Sequence, residues 1–256
     1  MKIKCLASSS EGNCYLMQFS NEASNYNETI MVECGISYKD MIRKSIECDC
    51  TEMLLKAKCC LVTHGHSDHS RAIRELQNNR VRVYATKETH ENMHTKQQFL
   101  INDGETKCIA PKIVAYGFKV EHDFPNSLGY IIQCQETNET ILFVNDCKYF
   151  QQDLSAYYFD YIFIECNYET RQTYAIYNQK VKSQDADVNH YKRVIESHMG
   201  SATTKKILSK LHMDNCKAVF LMHLSDKNAN EYVMKKEISD LIKVPTFVCQ
   251  KRGGIK

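Results

Sequence analysis

The feature that most constrains this 256-residue chain is four metal-ligand side chains within six positions, His64-x-His66-x-Asp68-His69, directly after the apolar run 59–63. Imidazole and carboxylate are the donors that borderline metals such as zinc prefer. A regular helix would fan four such side chains apart. The junction of a buried strand and a loop lets them converge on two neighbouring points. The segment therefore predicts a strand that ends in a metal-binding loop.

Short apolar runs bounded by turn residues predict further strands over 2–6, 14–19, 29–34, 81–85, 113–121, 129–133, 140–145, 161–165, 218–222 and 246–248. Helical spacing covers 38–46, 71–77, 87–95, 191–211 and 228–242. The small residues of 8–13 read as a loop. The polar, tyrosine-rich stretch 167–189 lacks periodicity and reads as a surface excursion or an arm. No repeat, linker or low-complexity block interrupts the pattern. The expectation is one layered α/β domain over 1–256.

The net charge is +2. Proteins that track a long nucleic acid usually carry a basic stripe, because phosphate neutralisation supplies most of their affinity. The balance here leans towards a small ligand held at a local site and away from a long polyanion. The 13 cysteines are an odd number, and the close pairs Cys48/Cys50 and Cys59/Cys60 lack the spacing of a zinc knuckle or a redox CxxC. They read as reduced thiols of a cytosolic protein, several of them buried in strands. No apolar run suits a signal peptide or a membrane span, so a soluble, cytoplasmic protein with no membrane partner is expected.

The HxHxDH segment after an apolar strand resembles the signature of the metallo-β-lactamase superfamily of hydrolases, which implies an αββα sandwich. Further segments resemble that family's motifs in order: Ser8 to Asn13 its early small-residue loop, Met31-Val32-Glu33-Cys34-Gly35 its Asp-x-Gly strand end with Glu33 in place of the aspartate, then His122, Asp146 and His223. The resemblance implies two divalent metal ions, zinc or else manganese. His64, His66 and His122 would hold the first, Asp68, His69 and His223 the second, and Asp146 would bridge them. Ions about 3.5–4 Å apart can activate a shared water and polarise substrate oxygens, which suits phosphodiesters as well as strained amides, lactones and thioesters. His90, His94, His190 and His212 read as ordinary structural histidines.

Glu165 to Glu169, Glu196 to Leu208 and Met222 to Asn230 resemble the YycJ/WalJ group of phosphodiesterases, with the tRNase Z enzymes more distant. The resemblance gives His198, beside Asp68, a catalytic role as the acid that protonates a departing ribose oxygen. Two departures stand out: Cys166-Asn167-Tyr168-Glu169 replaces an SNHD-type motif, and Ser197-His198-Met199-Gly200-Ser201 a GHxSN-type one. Asp146 and His223 are only 77 positions apart, too few for an inserted nucleic-acid clamp.

In these respects the chain resembles the phage anti-Pycsar phosphodiesterases. That family linearises cyclic mononucleotides such as cCMP and cUMP to 5′-monophosphates and works as homodimers. The resemblance implies a small nucleotide substrate and a homodimeric partner. Ser9, Ser10, Asn13, Tyr168 and Tyr174 are the candidate substrate contacts, the tyrosines because aromatic faces accept any base. A 5′-to-3′ DNA exonuclease of the YycJ/WalJ kind is the rival reading. A lactonase, thioesterase or β-lactamase, and a non-catalytic sensor, stand behind it.

Overall fold

A computed structural model describes all 256 residues. Strands β1 (Lys2–Ser9), β2 (Gly12–Asn21) and β3 (Tyr26–Val32) form an antiparallel meander. Helices α1 (Tyr38–Glu47) and α2 (Thr51–Lys56) lead to β4 (Cys59–Leu61), which adds parallel to β3. After α3 (Ser67–Ser70) and α4 (Ile73–Asn78), β5 (Arg82–Ala85) joins β4. Helix α5 (Lys87–Asn92) and β6 (Phe99–Leu100) complete a six-stranded sheet.

The second sheet has the same plan. Strands β7 (Thr106–Ala110), β8 (Ile113–Lys119), β9 (Leu128–Cys134) and β10 (Glu139–Val144) run antiparallel. Strand β11 (Tyr161–Glu165) follows β10 in parallel. Helices α6 (Thr170–Ser183), α7 (Val188–Ser197) and α8 (Ser201–Leu208) then precede β12 (Ala218–Met222), and α9 (Glu231–Ile242) precedes β13 (Thr246–Val248). Strands β11 to β13 are parallel neighbours.

Side-chain alternation along the strands sets the layers. Tyr15, Met17, Ile30, Val32 and Leu61 of the first sheet meet Tyr130, Ile132, Ile141, Phe143 and Phe163 of the second in a core between the sheets. The intervening residues point outward. Leu16, Met31, Cys60 and Val62 pack on Met41, Met53, Ile73 and Leu76 of the helices. Leu142, Val144, Ile162 and Ile164 pack on Ile207, Leu208, Met234 and Ile238. The result is a helix–sheet–sheet–helix sandwich, the metallo-β-lactamase fold. Burying each of these large apolar side chains contributes about 1.5–3 kcal/mol.

Several sequence expectations need correction. Residues 8–13 are not an open loop but the tip of the β1–β2 hairpin, with Ser8 opposite Asn13 and Ser9 opposite Gly12. The 167–189 excursion contains the regular helix α6, started by the Glu169 carboxylate, which accepts from the backbone N–H groups of Arg171 and Gln172. The single helix expected over 191–211 is two helices. His198 is extended (φ −120°, ψ 160°), and Gly200 bridges to Tyr168, where the tyrosine ring would lie 2.5 Å from any Cβ. Tertiary contact overrides helical periodicity at that point. The short α2 and β7 carried too little periodicity to be expected.

Candidate metal centre

The parallel strands β3, β4, β10, β11 and β12 each end next to a residue of the site: Glu33, His64, Asp146, Glu165 and His223. Ligand sites of α/β sheets commonly lie beyond such strand ends. Glu33 (φ 64°), Asp146 (φ 47°) and His223 (φ 55°) occupy the left-handed region. A non-glycine residue held there costs about 1–3 kcal/mol, and such strain gathers at functional sites.

His64 Nε2 lies 3.0 Å from His66 Nδ1, and His122 Nε2 lies 3.1 Å from the same atom. Asp146 Oδ2 is 3.7 Å from both Nε2 atoms and 3.1 Å from His69 Nε2. Asp68 Oδ2 reaches His69 Nε2 at 3.3 Å and His223 Nε2 at 3.6 Å. Three groups result, His64–His66–His122–Asp146, Asp68–His69–Asp146–His223 and Asp146–Glu165–His198–His223, each with donor atoms within 4.8 Å of one another. Asp146 belongs to all three.

The far sides of these rings are tied down. Thr63 Oγ1 donates to Glu33 Oε1 at 2.6 Å, which leaves the hydroxyl oxygen to accept from His64 Nδ1 at 3.0 Å. The carbonyl of Ser197 accepts from His122 Nδ1 at 3.2 Å. Each bond leaves Nε2 with its lone pair facing inward, the arrangement that metal-binding histidines adopt. Burial and the neighbouring His69 hold the His64 imidazole well below its ordinary pKa, in the neutral form that binds metal. Burial raises the pKa of Asp146, but His223, His198 and His69 outweigh it and keep the carboxylate ionised. Asp68 is kept ionised in the same way, burial being outweighed by hydrogen bonds from His223 and His69.

Asp146 Oδ1, His69 Nδ1 and His223 Nε2 are buried without an aligned hydrogen bond. Buried polar atoms seldom go unpaired. His69 Nδ1 faces Glu33 Oε1 at 3.2 Å and Asp146 Oδ1 faces His198 and His223 Nδ1 at 3.1 Å, whereas His223 Nε2 is turned to the Asp68 carboxylate. An unpaired buried nitrogen amid imidazole and carboxylate donors fits a bound cation, and these residues could hold divalent metal.

Residues 29–224 match the family model of the beta-lactamase superfamily domain. The chain belongs to that superfamily. Among solved structures it is similar to the metallo-beta-lactamase fold protein YhfI from Bacillus subtilis (15% identity, TM-score 0.65, 99% of this chain and 98% of that one). It is similar to the short form of human tRNase Z (13%, TM-score 0.62, 100% and 98%). It is also similar to Zn2+-bound PqqB from Methylobacterium extorquens (13%, TM-score 0.65, 100% and 99%). No curated protein matches the sequence.

In this superfamily member the centre opens on a cleft of about 290 Å³ between the hairpin tip and α7, with Ser10, His190, Arg193, His198, His223 and Lys227 in its lining. His198 Nδ1 contacts Glu165 Oε1 at 2.7 Å and Asp146 Oδ1 at 3.1 Å. Burial pushes the His198 imidazolium down, but the Glu165 and Asp146 carboxylates outweigh it and hold its pKa up at about 11.

Of the candidate substrate contacts, only Ser10 lines the cleft. Asn13 is fully buried, donating to the carbonyls of Ser9 and Asp68, so it fixes the metal loop. Ser9 is buried and caps the hairpin turn by accepting from the Glu11 N–H. Tyr168 is buried against Gly200, which leaves no face for a base. Tyr174 is exposed on α6, outside the cleft lining. Glu165 and Asn167, which donates to the carbonyl of His223 at 2.8 Å, were not singled out from sequence. A lone acid closing the apolar run Tyr161–Glu165 was the available signal for Glu165.

Proposed function

We propose that the chain is a two-metal phosphodiesterase that opens 3′,5′-cyclic mononucleotides to nucleoside 5′-monophosphates. The observation that carries this reading is His198, clamped through Nδ1 by Glu165 and Asp146 beside the metal positions, with its ring facing the cleft. Hydrolysis of a lactone, thioester or β-lactam places less demand on a strong acid than expulsion of a ribose alkoxide.

The first metal position is assigned to His64, His66 and His122, the second to Asp68, His69 and His223, with Asp146 shared. Zinc is the preferred ion, in keeping with the donor set and with the zinc of the similar PqqB. When bound, the ions supply a water of lowered pKa and charge neutralisation at the phosphoryl oxygens. Asp146 and Asp68 keep their negative charge and so fix where cations sit. Because Nδ1 of His198 is engaged, Nε2 is the nitrogen that faces substrate. As water adds to phosphorus, giving up one proton to solvent, the P–O3′ bond breaks, the Nε2 proton passes to O3′, O5′ stays on phosphorus, and His198 regains its proton from solvent. Glu165 holds the ring in place throughout and stabilises its charged form.

The cleft beside His198 supports a mononucleotide, since 290 Å³ is at the low end of small-ligand pockets, roughly 300–1,000 Å³; a second opening of about 510 Å³ past His122 sets Lys148, Lys192 and Arg193 among Glu121, Asp123 and Glu196. The basic side chains of the cleft beside His198, Arg193 and Lys227, stand beside Asp226 and make no continuous track. One observation favours the DNA exonuclease reading. A groove of about 620 Å³ behind the hairpin tip holds Lys44, Arg71 and Arg252, none with an ion-pair partner, interleaved with Glu11, Asp40 and Glu47. Incubation with cCMP, cUMP, cAMP and cGMP beside end-labelled duplex DNA, with zinc or manganese, separates the readings. Conversion of a cyclic nucleotide to its 5′-monophosphate is the expected result. DNA cleavage with every cyclic nucleotide intact sinks the proposal. The same reading takes a homodimer in the cytoplasm as the working form, which sedimentation of the purified protein checks.

A further inference from the structure

Asp123 follows the histidine that completes the first trio, and its two carboxylate oxygens face different groups. Oδ1 lies 3.0 Å from His122 Nε2 and 3.8 Å from His66 Nε2. Oδ2 accepts from the Ser197 hydroxyl at 3.3 Å and is 3.9 Å from Arg193 Nε, both on α7.

The spacing of Oδ1 is informative. His66 Nδ1 keeps 3.0 and 3.1 Å from the other two nitrogens of the trio. Donors bonded at about 2.0–2.1 Å to one ion lie about 3.3 Å apart in tetrahedral geometry, and about 2.9 Å apart for right-angle neighbours in the five-coordinate geometry that a fifth donor requires. Asp123 Oδ1 thus stands from His122 Nε2 at the separation that donors of a single ion keep, while on His66 it approaches Nε2, the ring nitrogen other than the Nδ1 that faces the trio. Its side chain is 41% exposed, so nothing in burial forces the carboxylate inward.

The loop around it is fixed. The Phe124 ring occupies the space that a Cβ on Gly65 would take and lies 5.9 and 5.4 Å from the rings of His64 and His66. The Phe124 carbonyl accepts from Ser127 Oγ at 2.9 Å.

We infer that Asp123 is a further ligand of the first metal position, giving an oxygen donor from its open side, and that Arg193 and Ser197 of α7 hold it there. The inference rests on the trio being a metal position and not on what the enzyme hydrolyses. The second position, around Asp68, His69 and His223, has no contact with Asp123 and serves as the internal control.

The test uses the full chain, stripped of metal and titrated with zinc against a chromophoric chelator, and separately with cobalt, whose visible bands report donor number and type. Asp123→Ala should weaken one of the two ions by about 10–100-fold, the range typical for loss of a supporting group at a metal site, and should alter the cobalt bands. Asp123→Asn, which keeps an oxygen but loses the charge, should fall between. Arg193→Gln should weaken the same ion by a smaller factor, and wild-type affinity in that variant overturns the role of α7. Two ions bound at wild-type affinity by Asp123→Ala, with unchanged cobalt bands, overturn the ligand assignment. The melting temperature of each metal-free variant checks folding. Because no substrate enters, a protein that binds metal through Asp123 yet cleaves no phosphodiester defeats the functional reading alone. A phosphodiesterase whose metal binding ignores Asp123 defeats this inference alone.

Discussion

Glu165→Gln is the sharpest test of the acid assigned to His198. Both oxygens of the buried Glu165 carboxylate are in use: Oε1 meets His198 Nδ1 at 2.7 Å, and Oε2 accepts the backbone N–H groups of Cys147 at 2.7 Å and Met199 at 3.2 Å. Glutamine has nearly the same shape but only one acceptor. In either orientation its amide N–H groups face a donor, the imidazolium or the two backbone groups. Losing hydrogen bonds to a charged acceptor costs about 1.5–3 kcal/mol. At about 2–4 °C per kcal/mol for a chain of this size, the melting temperature should fall by about 3–12 °C.

The kinetic effect depends on the leaving group. General acid catalysis supplies about 10²–10⁴-fold when an alkoxide departs. A p-nitrophenyl phosphodiester releases a phenolate that needs no proton. Glu165→Gln and His198→Ala should therefore lower kcat for a cyclic nucleotide by that range and for the p-nitrophenyl ester by far less. The Glu165 charge is also the chief support for the imidazolium after burial has acted against it. The alkaline limb of the kcat profile should move to lower pH in Glu165→Gln. Equal losses on both substrates, with no movement of that limb, would refute the acid role and leave Glu165 as a structural anchor.

Three further outcomes follow from the same geometry. Gly35→Ala places a Cβ against the backbone carbonyl of Asp68; overpacking of this kind costs about 1–3 kcal/mol, and calorimetry should show a lower melting temperature together with weaker binding at the second metal position. Chelation should abolish hydrolysis and lower the melting temperature. An ion free at about 100 times its Kd contributes about 2.7 kcal/mol, and an unchanged melting temperature would argue against resident metal. In the metal-free protein His198 is held up to about 11 and His223 to about 9, in both cases because nearby carboxylates outweigh burial. Their ordinary value is about 6.5, so this stabilisation is complete below about pH 6.5 and is lost as pH rises through about 9 and then 11. Thermal melts of the stripped protein should show stability falling across that range, and a flat or rising trend contradicts the pairing.

The difference between what the sequence made legible and what it did not has a physical basis. Strands such as Thr29 to Val32 and Tyr161 to Glu165 send successive side chains into two apolar layers, so they stand out in the residues themselves as short unbroken apolar runs. The HxHxDH segment is legible for the same local reason, since its donors are neighbours in sequence. The partners that hold those donors are not local. Glu33 and Glu165 are single acids at the ends of apolar strands; only the pairing of β3 with β4 brings one to Thr63 and His69, and only the return of the chain after α7 brings His198 to the other. Left-handed backbone at Glu33, Asp146 and His223 leaves no mark in composition, because none of the three is glycine. Periodicity misled most at 198–200, where it carried a helix straight through. The capture of the Met199 N–H by Glu165 and the packing of Tyr168 on Gly200 end that helix and turn His198 towards Glu165 and Asp146.

That break explains why the substrate is harder to read than the metal chemistry. The metal-donor residues lie just beyond strand ends or, for Asp68 and His69, on the short α3 that follows β4, and a family pattern can be followed there residue by residue. The cleft wall is built from Ser10 at a hairpin tip, Arg193 on α7 and Lys227 after β12, three elements whose sequences are polar and carry no shared period. Helix α7 buries only Ser197, so its position is set less by core packing than by the polar contacts of Arg193 and Ser197 to Asp123 and of Ser197 to His122. The wall of the proposed substrate cleft is therefore tied through Asp123 and His122 to the proposed first metal position. A change at Asp123 or Arg193 should alter KM for the nucleotide as well as metal affinity, whereas a change at Glu33, which lies on the opposite side of the centre against His69, should alter metal binding with little effect on KM.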